Sequence, residues 1–117
     1  MSVIHMEVSR LLISAKRLCM NRNANLPVEL GKSMYEPCEN GVTFSKAHYL
    51  LDSSHSEYIS SVAKVTFDET VYRWLVFIPC DEEQDINWMP YPFLPSTENL
   101  NTILREIEKD PKSYFWS

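Results

Sequence analysis

The chain has 117 residues, 44% of them apolar, 12% aromatic and 23% charged, with a net charge of −5. That length suits a single domain, residues 1–117, burying about two-thirds of its unfolded surface, and the aromatic content sets it apart from disordered chains. The acidity removes any general pull toward nucleic acid or anionic lipid, and no apolar run reaches the roughly 20 residues that cross a bilayer.

The charge is uneven. Residues 1–32 hold five basic and two acidic side chains, residues 33–66 two and four, and residues 67–117 four and ten. The C-terminal half is therefore the part that would attract a basic partner. Cys19, Cys38 and Cys80 cannot all pair within one chain and form no Cys-x-x-Cys, so they read as reduced thiols. Glu7 and Arg10 interrupt the N-terminal apolar positions, so no signal-peptide layout is present. A cytoplasmic location is expected.

Residues 2–21 predict a helix, because Ile4, Val8, Leu11, Leu12, Ala15 and Leu18/Cys19 fall on one stripe. Ser2 is a candidate cap, and Lys16, Arg17 and Arg22 would complement the negative end. Asn21 to Pro27 is expected to be a polar connector, since asparagine bonds its own backbone in turns. Ser33–Cys38 and Val42–Leu51 predict two strands joined across Glu39-Asn40-Gly41, where Asn-Gly accepts the positive φ of a tight turn. Pro37 places the first of these strands at an edge.

Glu57–Phe67 alternates as a half-buried strand, with Ile59, Ser61, Ala63, Val65 and Phe67 on one side. Val71–Cys80 returns from the Asp68–Thr70 turn. With Val71, Leu75 and Phe77 on one side and Tyr72, Trp74, Val76 and Ile78 on the other, it reads as a central strand covered on both faces. Arg73 within it needs a carboxylate or a route to solvent. Asp81–Pro95 is expected to be irregular, stiffened by Pro90, Pro92 and Pro95. Ser96 or Thr97 would cap a last helix carrying Leu100, Ile103, Leu104 and Ile107 inward, with Pro111 as its stop. The aromatic end, Ser113 to Ser117, should dock back on the core. The fold class expected is α+β: an antiparallel sheet of about four strands flanked by an N-terminal and a C-terminal helix.

Chemistry is sparsely signalled. His5, His48, His55 and the three cysteines lack the short-spaced pairs of zinc sites, so no metal or other cofactor is expected. Cys80 with His48 or His55 as base would make a nucleophile pair, but no glycine elbow surrounds Cys80, and a small buried thiol is the simpler reading. Neither glycine opens a helix to cradle phosphate. Single-stranded nucleic acid would want aromatics beside basic residues, whereas here they follow acids.

Protein recognition remains. Asp81, Glu82, Glu83 and Asp85 form an acidic cluster, followed by Trp88, Tyr91 and Phe93 between prolines. Aromatic anchors dominate binding hot spots, and neighbouring acids steer a basic partner. The expectation is a non-enzymatic acidic binding or inhibitory protein, in concrete form an immunity protein or antitoxin neutralising a basic, nuclease-type toxin. Two alternatives stand beside it. One is a small enzyme or ligand-binding domain using Cys80 with His48 or His55. The other is a structural or adaptor subunit assembling through its aromatic C-terminus.

Overall fold

The computed structural model describes residues 3–25, 32–49, 57–82, 85–112 and 114–116. An antiparallel sheet carries one helix from each end of the chain, which is an α+β fold. The first helix, α1, runs Val3–Asn25 and buries Leu11, Ala15, Leu18 and Cys19. Full burial of each large side chain on such a stripe contributes about 1.5–3 kcal/mol.

α1 continues past Asn21 to Asn25, into the expected connector, where Asn23 finds its partner outside the helix. The Asn23 amide donates to the Ser33 carbonyl at 3.0 Å, and its Oδ1 accepts from the Ser33 N–H at 2.7 Å. Together the two bonds copy one rung of a sheet. Arg22 Nε donates to Ser33 Oγ at 3.1 Å, and another guanidinium nitrogen donates to the Glu108 carbonyl at 2.9 Å.

The strands are β1 (Lys32–Cys38), β2 (Gly41–Tyr49), β3 (Glu57–Asp68), β4 (Arg73–Glu82), β5 (Asp85–Pro90) and β6 (Ser96–Thr97). They lie in the order β1-β2-β3-β4-β5, with β6 also paired to β4. The described residues hold two more strands than the sequence suggested: β5 inside the stretch expected to be irregular, and β6 at the two residues expected to cap the last helix. Pro37 lies on the edge strand β1, as its missing donor requires. The β1–β2 hairpin closes with Cys38 opposite Gly41, and Asn40 alone takes a positive φ, of 60°. Gly41 serves closeness instead: a β-carbon there would overlap the Val65 carbonyl oxygen.

Ala63, Val65 and Phe67 face the core as expected, but Ile59 is 55% exposed. The cause is a register shift: Phe44 pairs Ala63 while Ser45 pairs Ser61, leaving Val62 as an extra residue. A bulge of this kind flips the alternation. Val62 turns inward, and Ile59 turns out.

Val71 and Tyr72 are exposed turn residues, Tyr72 with φ 57°, and β4 begins only at Arg73. Trp74, Val76 and Ile78 join Phe44, Val65 and Phe67 in the core beneath both helices. Leu75, Phe77 and Pro79 point to the opposite face and are only half-buried. The expectation of a strand covered on both faces is thus corrected, and among the described residues no second layer lies on that face. Arg73 is satisfied by the short β6 strand and its neighbour. It donates to Ser96 Oγ at 3.2 Å and pairs with Glu98 at 3.5 Å.

The second helix, α2, spans Leu100–Lys109 and buries Leu100, Ile103 and Ile107. Ser96 and Thr97 are occupied in β6, so Asn99 caps it, its side chain accepting from the Asn101 N–H at 3.0 Å. Asp110 follows in the left-handed conformation, φ 47°, and its N–H donates to the Glu106 carbonyl. Its carboxylate then accepts from the N–H groups of Tyr114 (2.8 Å), Phe115 (3.1 Å) and Trp116 (3.0 Å). The tail docks as expected. Phe115 and Trp116 are buried, Trp116 Nε1 donates to the Ile107 carbonyl, and Arg22 stacks 4.3 Å above the Trp116 ring.

Candidate functional site

Glu82 pairs with Asp85, so β4 and β5 are the two arms of a hairpin. Asp81 and Glu82 end β4 and Asp85 begins β5, which puts these three acidic positions at one end of the ribbon. Glu83 lies outside the described residues.

The three aromatics downstream separate. Trp88 lies opposite Pro79, and Pro90 opposite Phe77, on the uncovered face of the sheet. Lys64 shares that face, across β4, with its ammonium 5.8 Å from the Trp88 ring. Leu75, Phe77, Pro79, Trp88 and Pro90 thus form an apolar ribbon along β4 and β5. Where the ribbon meets the β3–β4 turn there is an open cleft of about 440 Å³, lined among others by Glu39, Lys64, Asp68, Glu69 and Leu75.

Tyr91 is a correction: it is fully buried and offers no surface to a partner. Its N–H donates to the Val76 carbonyl, and Val76 N–H in turn donates to the Pro95 carbonyl. The chain between them, Tyr91 to Leu94, leaves the sheet and returns to it as β6. This excursion carries the Tyr91 ring into the core, where its hydroxyl donates to Glu106 Oε2 at 2.7 Å. Burial, then that bond and the charges of Glu106 and Asp110, raise the Tyr91 phenol above its ordinary value.

Phe93 is 53% exposed. Its ring centroid lies 5.6 Å from that of Tyr114 and 5.7 Å from that of Tyr91, with Lys112 5.1 Å above it. Phe93 and Tyr114 therefore make one small patch from the two segments that the sequence offered as separate interfaces. No spacing rule predicts that pairing, since it depends on how Asp110 folds the tail back. That Leu75 and Phe77 are only half-buried was also missed, because an all-apolar strand reads as buried on both sides.

The alternatives gain little. Cys80 is half-buried, while His55 lies outside the described residues and the side chain of His48 is not among those described. Among the described residues no group of three or more His, Cys, Asp or Glu could hold a metal, and no helix is long and apolar enough to cross a membrane. For assembly through the C-terminus, Tyr114 is exposed, but Phe115 and Trp116 are committed to the chain's own core.

Among protein families, the model of DUF3024, described as a domain of unknown function, matches residues 4–117. No curated protein and no solved structure matches the chain.

Proposed function

The chain belongs to the DUF3024 family, and we propose that it is a non-enzymatic, cytoplasmic binding protein that receives a basic protein on the uncovered face of its sheet. The observation carrying this reading is the apolar ribbon of Leu75, Phe77, Pro79, Trp88 and Pro90, left without a second layer among the described residues. A ribbon of this kind supplies the desolvated centre of an interface, with Trp88 as its anchor. Glu39, Asp68 and Glu69 line the cleft at one end, and the strand positions of Asp81, Glu82 and Asp85 lie toward the other. Such an arrangement fits a partner with an apolar centre and a cationic rim, and it speeds encounter by electrostatic steering. An immunity protein or antitoxin that masks the phosphate-binding surface of a nuclease is the concrete form, the carboxylates standing where substrate phosphates would sit.

The test is affinity capture of a basic protein from native lysate, followed by kinetic binding measurements on the purified pair. Trp88→Ala should weaken binding about thirtyfold or more, the scale of a hot-spot residue. Reversal of Asp68 and Glu69 to Lys, or of Glu82, Glu83 and Asp85, should slow association about tenfold at low salt. A captured partner whose binding ignores all of these changes, and ignores salt, overturns the assignment. Where the partner is a nuclease, loss of its activity on mixing distinguishes inhibition from simple association.

A further inference from the structure

The helical side of the molecule, opposite the uncovered sheet face, has its own charged feature. α1 and α2 lie side by side over the core, and an open groove of about 330 Å³ runs along their junction. Arg17 and Asn21 line it from α1, and Asn101, Arg105, Glu108 and Lys109 from α2. Leu18 and Leu104 form its floor, and a second hollow of about 280 Å³ continues past Asn21 toward Arg22.

Three cations and one carboxylate thus share a groove in a protein whose net charge is −5. Among the described residues the ion pairs are Arg10–Glu7 and Arg73–Glu98, so Arg17, Arg105 and Lys109 are in none. Complementing the helix ends accounts for Lys109, which stands in the last turn of α2. It does not account for the two arginines. α1 ends at Asn25, about two turns beyond Arg17, and the dipole's influence is confined to the last turn. Arg105 is in the middle of α2. The negative end of α2 is moreover already met by Arg22, which donates to the Glu108 carbonyl.

We infer that this groove is a site for a small polyphosphate. The planar fork of arginine matches two phosphate oxygens at once, and the pair here approaches from opposite walls, as two linked phosphoryl groups would need. The Asn21 and Asn101 amides add neutral donors that suit the same oxygens. At about 330 Å³ the groove is at the small end of ligand pockets, so the anionic portion and little more would be enclosed. Inorganic pyrophosphate and a nucleoside diphosphate present this same group, and the two are separable by measurement.

The experiment is a nitrogen–proton NMR titration of the full chain with inorganic pyrophosphate and, separately, with ADP. Saturable shifts of the Asn21 and Asn101 side-chain amides are expected, weakened at least about tenfold in Arg17→Gln/Arg105→Gln, which keeps the helices and removes the forks. Glu108→Gln, removing the one carboxylate, should tighten binding several-fold. ADP binding about tenfold tighter than pyrophosphate would place a nucleoside beside the groove; equal binding would assign the diphosphate alone. Shifts reproduced by sodium chloride at matched ionic strength, shifts that persist in the double variant, or no shift at about 10 mM ligand would each overturn the inference.

Discussion

Gly41 and Val65 approach so closely that the space of a glycine β-carbon is taken by the Val65 carbonyl oxygen, with Thr66 Cα only 2.8 Å away. Beside them the Asn40 carbonyl accepts from the Phe67 N–H at 2.9 Å. The tip of the first hairpin is therefore fastened to β3 through backbone alone. Gly41→Ala should destabilise the fold by about 3 kcal/mol, at the upper end of ordinary overpacking, because the obstacle is backbone and cannot swing aside. Asn40→Gly should be nearly neutral, since glycine accepts φ 60° freely. Urea denaturation of both variants checks the contrast, and equal losses would show that the turn conformation, not the contact, is the constraint.

Asn23 offers a test of the helix that outran its expected end. Asn23→Asp keeps the acceptor for the Ser33 N–H but turns a carboxylate toward the Ser33 carbonyl, where the amide had donated. A loss of about 1–3 kcal/mol is expected, the cost of an unmet buried acceptor. Asn25→Asp should cost far less, because Asn25 bonds only within its own helix and at the surface. Chemical denaturation of the two variants side by side decides it.

Asp110 gathers three N–H groups from the tail, and hydrogen bonds to charged groups contribute about 1.5–3 kcal/mol each. Asp110→Gly preserves the left-handed backbone and removes only the carboxylate, so it isolates that contribution. We expect a loss of about 3 kcal/mol and a red shift of Trp116 fluorescence as its ring leaves the core. Asp110→Ala should be worse, because it adds strain at φ 47°. An unshifted Trp116 signal in the glycine variant would mean that Lys46, Arg22 and packing hold the tail without the carboxylate.

Alkaline titration should weaken the protein in a defined window. Burial pushes the Cys19 thiol from 9.0 up to about 12, opposed in part by Arg22, and burial with Glu106 raises the Tyr91 phenol. Both groups keep their protons longer in the folded chain than in the unfolded one. Stability is then flat below about pH 9 and falls as pH rises from there through the folded values, since the unfolded state binds fewer protons. Cys19→Ala should flatten the first part of that fall, and Tyr91→Phe the later part. Thiol labelling at neutral pH gives a second measure: half-buried Cys38 and Cys80 should react well before Cys19.

The fold was readable where each residue's local preference agreed with its tertiary role. α1's stripe, the Asn40 turn, the edge position of Pro37 and the stop at Pro111 are all of that kind. Reading failed where one side chain found a distant partner. Asn23 became helical because Ser33 answered both of its polar atoms. Ile59 left the core because Val62 was inserted into the register, which no period-two pattern records. In the candidate site, chain order shows only that the acids follow β4 directly; the hairpin with β5, which sets Trp88 opposite Pro79, was expected to be irregular chain, and Tyr91 was expected at the surface. An aromatic flanked by prolines looks like a surface anchor, and only the partner Glu106, 15 residues later, makes it a core residue.

The excursion at Tyr91 to Leu94 also bears on what the sheet does when two molecules meet. Exposed strand edges are templates along which another chain can extend a ladder. Here one outer strand carries Pro37, and the other ends at Pro90 before the chain leaves the plane and returns only for Ser96 and Thr97. A second molecule arriving at either border meets a missing donor or a break within a few residues. The same detour that places Tyr91 in the core thus guards the border against cross-β growth, and filling it in with a continuous strand should make the protein prone to fibrils.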